Sequence, residues 1–182
     1  MMTRNNSCPM DSTFHIISKL DAAERQLRQA VRLFFQHGDD VAIHTLAAAA
    51  YQIISDLCEH KGIQREIEDS PILEEMGVKG EVLAAIRKPQ NFFKHADKDP
   101  EGTARFNPLL SACLILYAVQ YFYAISGKQF PEGQVFRVWF FLRFPDRMPP
   151  DAKALFSKIP NVVSPDDYTL FLDLIGSVYT SQ

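Results

Sequence analysis

The chain has 182 residues, 47% of them hydrophobic and 23% charged, which suits one globular domain with a sizeable core and argues against disorder. A formal net charge of −3 excludes a general electrostatic attraction to nucleic-acid backbones or anionic lipid, so any phosphate contact must be local. Three cysteines, Cys8, Cys58 and Cys113, are widely spaced and lack the CxxC or Cys/His spacing of a zinc module; they read as reduced thiols of a cytoplasmic protein, Cys58 and Cys113 in its core.

Residues 1–10 are polar, without the apolar run of an export signal, and are expected to form a flexible tail, with 11–182 as a single domain. From Ser12 to Gln36, apolar residues from Phe14 and Ile17 to Val31 and Phe34 recur at helical spacing. His37-Gly38 should stop that helix, with Gly38 in the left-handed conformation, and Asp39 or Asp40 should cap the next. The second helix spans Val41 to His60, and its run Ala47 to Ala50 allows a neighbouring helix to approach closely.

Ser70-Pro71 predicts a short helix through Met76, ended by Gly77. Another begins near Val78 or Gly80 and should break or kink at Pro89, which lacks a backbone donor and disfavours helical geometry at Lys88. Asn107-Pro108 opens an apolar helix, Leu109 to Ile125, at the lower length limit of a bilayer span and read as a central core helix, with no membrane role. Gln134 to Phe144 is aromatic-rich, and Val135 to Phe141 is the one stretch with strand character. Asp151 should cap a short helix to Ile159, and Ser164-Pro165 should open a last one to about Tyr179. No βαβ rhythm or repeat interrupts this pattern, so the fold class is all-α: an antiparallel helical bundle of about five main helices plus short C-terminal helices.

Chemistry concentrates between Arg87 and Asp99. If a helix restarts at Pro89, Asn91 and His95 share one face, flanked by Lys94 and Asp97, and Asn91 can orient the imidazole. An imidazole takes and gives protons near neutrality, and Arg87, Lys88 or Lys94 would supply charge for a phosphate. The plainer alternative is a helix terminus with His95 and the lysines solvated and Phe92 and Phe93 plugging the core.

The helical pattern followed by Arg87…Asn91-Phe92-Phe93-Lys94-His95 resembles the HEPN superfamily, helical bundles whose site motif is an arginine, four to six residues, then a histidine. Many such proteins are homodimers that cleave RNA without a metal; others only bind nucleotides or protein partners. The resemblance implies His95 as the acid–base residue and an arginine as phosphate clamp. Here seven residues separate Arg87 from His95, and Lys88 stands at the six-residue gap. Lysine is the poorer bidentate phosphate ligand.

A second grouping is His44, with Asp40 one turn earlier and Tyr51 two turns later. Were its helix to face the Asn91 to Asp97 segment, His44, His95 and Asp97 together would suit a divalent metal and a hydrolase; the more ordinary role of such a histidine is hydrogen-bonded packing. In Phe136 to Arg147, interleaved arginines and aromatics suit either stacking on single-stranded bases, a dimer interface, or a buried helix with Phe140, Phe141 and Phe144 inside and Arg137 and Arg143 at the rim. GxGxxG, Walker A, GxSxG and HExxH motifs are absent from the sequence.

The leading expectation is therefore a dimeric HEPN-like bundle binding RNA or a nucleotide, and if catalytic a metal-independent ribonuclease without cofactor. Its site comprises His95, Arg87 and Asn91 as catalytic residues and Lys88, Lys94, Asp97 and His44 as substrate-binding ones. The alternative is a non-enzymatic scaffold that binds a protein partner.

Overall fold

The computed structural model describes residues 14–97, 99–156 and 163–180. The expected tail at 1–10, the start of the first predicted helix and the end of the helix predicted to Ile159 lie outside them. The described residues are helical, with no strand: α1 Lys19–Phe35, α2 Asp40–His60, α3 Pro71–Glu75, α4 Lys79–Lys94, α5 Leu109–Ser126, α6 Pro131–Arg143, α7 Pro150–Phe156 and α8 Tyr168–Thr180. The all-α class is as the periodicity predicts, and the stretch Val135 to Phe141 is helix rather than strand.

α1 starts later than its apolar pattern suggests, because Ser18 and Asp21 form a reciprocal capping box there, the Ser18 hydroxyl accepting from the Asp21 N–H at 3.0 Å. Phe14 and Ile17, upstream of the cap, are exposed rather than part of a buried stripe. At the other end the left-handed residue is His37, with φ of 53°, and not Gly38. The Gly38 N–H bonds to the Leu33 carbonyl at 2.8 Å and the His37 N–H to Phe34 at 3.2 Å, a Schellman closure with histidine in the usual glycine position. The His37 ring stacks on Tyr168, with centroids 4.5 Å apart and planes at 5°, which offsets part of the backbone strain. Asp39 then caps α2 by accepting from the Ala42 N–H.

α2 packs against both α1 and α5. Ala47, Ala48 and Ala50 are buried at these contacts, where small side chains let the helix backbones approach. The core helix expected after Asn107-Pro108 is α5, which buries Leu114, Ile115, Leu116 and Phe122 among others and closes at left-handed Gly127. α2 and α5 are also long and apolar enough to meet the compositional test for a bilayer span, with half of each such stretch buried in the bundle. Cys58 is fully buried, whereas Cys113 is only half-buried.

α6 carries the aromatic side of the core. Phe136, Trp139, Phe140 and Phe141 are buried, while Phe144 is half-buried. Phe34 of α1 meets Phe136 and Trp139 edge-on, Phe35 meets Trp139 edge-on, and Phe35 stacks on Phe171 of α8 at 5.2 Å. At the rim Arg143 lies 3.8 Å from Asp166, and the half-buried Arg137 sits on the same helix.

A buried carboxylate joins α1, α6 and α8. Glu132 is fully buried and accepts from Arg32 Nε and Nη2 at 2.9 and 2.7 Å and from the Tyr179 hydroxyl at 2.8 Å, with Arg28 at 3.5 Å. Arg28 also bonds Glu24 and the Tyr179 hydroxyl. A charge without water is tolerable here because its oxygens are occupied by charge-assisted donors.

Candidate functional site

α4 does not break at Pro89; it runs unbroken to Lys94, and Pro89 is an interior residue of the helix. Proline removes one donor, the partner of the Ala85 carbonyl, and Ala85 is exposed, so water can satisfy that carbonyl. His95 is the C-cap, with extended backbone (φ −131°, ψ 125°), its N–H bonded to the Asn91 carbonyl at 3.1 Å.

An unbroken helix sorts the candidate residues by angle. At about 100° per residue, Ile86, Gln90 and Phe93 share the inward face, and Lys88, Asn91, Phe92 and His95 share the outward one. Gln90 is buried, Ile86 packs against the core, and Phe93 lies edge-on to both His44 and Phe106, at 5.7 and 5.3 Å. On the outward face Lys88, Asn91, Phe92, His95, Asp97 and Asp99 line one concavity of about 460 Å³. Phe92 therefore belongs to this hollow, half-buried, and only Phe93 plugs inward.

Arg87 and Lys94 fall between the two faces, about 80° and 100° around the axis from His95. Both are exposed, and neither lines the concavity. Lys94 instead lies close enough to His44 to disfavour a positive charge there. The arginine of the motif and the histidine thus stand on adjacent sides of α4, and the cation that shares the hollow with His95 is Lys88.

His44 is placed elsewhere again. Its ring is fully buried between α2 and α5, Nδ1 3.1 Å from the Ser111 hydroxyl, with Phe93 and Phe106 against it and Nε2 without a hydrogen-bond partner. Burial first, and the Lys94 ammonium second, pull its pKa from the ordinary 6.5 down to about 4, so the ring is neutral at pH 7. Phe93 of α4 lies edge-on against it, and its position is that of a packed core histidine. Among the described residues no group of three or more His, Cys, Asp or Glu side chains is placed to hold a metal ion, so the proposed His44–His95–Asp97 metal grouping does not assemble.

Five polar side chains and Phe92 line the hollow, which is open to solvent. His95, Lys88, Asn91, Asp97 and Asp99 are all exposed, and no side-chain hydrogen bond or ion pair to another described residue holds any of the first four. Chemically it offers two cationic or protonatable groups, an amide, two carboxylates and one aromatic face. Such a set can bind a phosphate through Lys88 and His95, accept hydroxyl donors on its carboxylates and take a flat ring on Phe92. Asp99 joins it through the loop after α4, a placement that spacing on a helix does not reveal.

In comparisons with known proteins, no family model, no curated protein and no solved structure matches this chain.

Proposed function

We propose that this chain is a HEPN-like helical-bundle protein that binds a nucleotide or a short stretch of RNA on the outward face of α4. One observation carries the reading: Lys88, Asn91, Phe92 and His95 line a single hollow together with Asp97 and Asp99. In this proposal Lys88 and His95 take the phosphate, Phe92 stacks against the base, and Asp97 or Asp99 accepts from ribose hydroxyls. The net charge of −3 is consistent with a local contact and not with a long electrostatic track.

The same geometry favours binding over turnover. A general base works best when a neighbour orients it, and the His95 imidazole has no such hydrogen bond among the described residues. If cleavage does occur, His95 deprotonates a ribose 2′-hydroxyl for attack on the adjacent phosphorus, Lys88, rather than the displaced Arg87, stabilises the phosphorane, and the P–O5′ bond breaks to leave a 2′,3′-cyclic phosphate and a 5′-hydroxyl whose oxygen takes its proton back from the His95 imidazolium. The dimeric assembly implied by the HEPN-like plan is part of this proposal.

The test uses the purified full-length chain with a fluorescein-labelled single-stranded oligoribonucleotide and a fluorescent adenine nucleotide, read by anisotropy and, for the RNA, by gel. Saturable binding of either probe that weakens at least fivefold in Lys88→Ala and His95→Ala supports the reading. Equal binding by wild type and both variants, or no binding of either probe, overturns it. Any RNA cleavage that survives His95→Ala removes the catalytic part.

A further inference from the structure

A second hollow lies between α5, α6 and the turn that follows α6. It has a volume of about 480 Å³, within the range of small-molecule sites. Leu109, Leu116, Phe140, Phe141 and Phe144 supply its apolar walls.

Three polar features make this more than a packing defect. Arg147 stands at the hollow and forms no ion pair with any described carboxylate. Its guanidinium is nonetheless close enough to the Cys113 thiol and the Tyr117 phenol, both also in the lining, to oppose the upward push that burial gives their pKa values. Gln120, on the same helix as Cys113 and Tyr117, has a buried Oε1 with no hydrogen-bond partner, an acceptor that a ligand N–H or O–H would satisfy. Glu66, the one carboxylate in the lining, is exposed, and its backbone N–H is held by the Tyr121 hydroxyl at 2.6 Å.

We infer that this hollow is a binding site for a small aromatic acid: a flat apolar body between Leu116, Phe140 and Phe144, one anionic group on Arg147, and an N–H or O–H donated to Gln120 Oε1. The apolar walls disfavour a heavily charged ligand such as a nucleoside triphosphate, whose several negative charges would meet one arginine and the Glu66 carboxylate. The charge complementarity is that of a single anion with a single exposed, unpaired guanidinium.

Two dyes of nearly the same shape separate these contributions. 1-Anilinonaphthalene-8-sulfonate carries an aromatic body, an N–H and one anion; N-phenyl-1-naphthylamine has the body and the N–H without the anion. Full-length protein should bind both with a stoichiometry of one, followed by dye fluorescence. Arg147→Ala, at an exposed position, should weaken the sulfonate about tenfold and leave the neutral dye within about twofold, since about 1.4 kcal/mol is tenfold in affinity. Cys113→Phe should abolish binding of both by filling the hollow. In a Cys8→Ser chain, where Cys58 is fully buried, saturating sulfonate dye should protect Cys113 from iodoacetamide, which keeps the test decisive if Cys113→Phe does not fold. Equal loss of both dyes in Arg147→Ala, no loss of either, or unprotected Cys113 at dye saturation overturns the inference.

Discussion

The His44 imidazole sits 3.1 Å from the Ser111 hydroxyl across the seam between α2 and α5, both side chains buried. One ring nitrogen is partnered and the other is not, so the ring is packed and neutral at pH 7, and folding disfavours its protonation.

That arrangement sets a pH dependence. The folded-state pKa, about 4, lies below the ordinary 6.5, so between these values the unfolded chain binds the extra proton. Stability is therefore intact above pH 6.5 and is lost as pH falls toward 4, by about 3 kcal/mol in all at 1.36 kcal/mol per pH unit. Urea unfolding of wild type and His44→Gln at pH 7, 5.5 and 4 should show this loss in wild type beyond that of the variant. Parallel profiles would show that His44 does not govern it.

Glu132 yields an asymmetric prediction. Arg32→Ala leaves the fully buried carboxylate with fewer donors and should destabilise by about 3 kcal/mol, whereas Glu132→Leu leaves arginines that are part-exposed and can rehydrate, and should cost less. Tyr179→Phe, which deletes one hydroxyl bond to that carboxylate, should cost about 1.5 kcal/mol. Urea midpoints at constant m-value rank the three variants.

Pro89 predicts a gain. An exposed helix with an interior proline lacks one backbone bond, so Pro89→Ala should stabilise the chain by about 1–2 kcal/mol after the loss of proline's restraint on the unfolded state. A decrease in the thermal midpoint would mean that the ring's packing, and not the missing donor, dominates.

Lys88 and Arg87 separate the two geometries available to the motif. With Lys88 lining the hollow and Arg87 outside it, Lys88→Ala should weaken oligoribonucleotide binding about tenfold and Arg87→Ala less than twofold, with about 1.4 kcal/mol per tenfold. The reverse order would show that the ligand lies on the side of α4 shared by Arg87 and Lys94.

Much of the helical layout is legible in one dimension because its signals are local. Ser70-Pro71 marks the start of α3, Asp39 the start of α2 and Gly127 the end of α5 through bonds or torsions within a few residues. The same locality misled at His37 and Pro89. Stacking with Tyr168, more than a hundred positions away in sequence, accompanies the left-handed histidine, and solvent at Ala85 makes the proline tolerable. The Arg87 to Asp99 segment stands out by composition, yet composition does not sort it into faces.

By itself the sequence determined that the chain is helical, where most helices begin and end, and that α5 is a core helix, since hydrophobic period and caps act through neighbouring residues. Tertiary structure alone decided that His44 is sealed behind Phe93 while His95 shares a hollow with Lys88. It alone brought Glu132 to Arg28, Arg32 and Tyr179, and set Arg147 beside Cys113 and Tyr117. Burial and pairing of this kind depend on which faces of distant helices meet, and that is settled by the packing of the whole core.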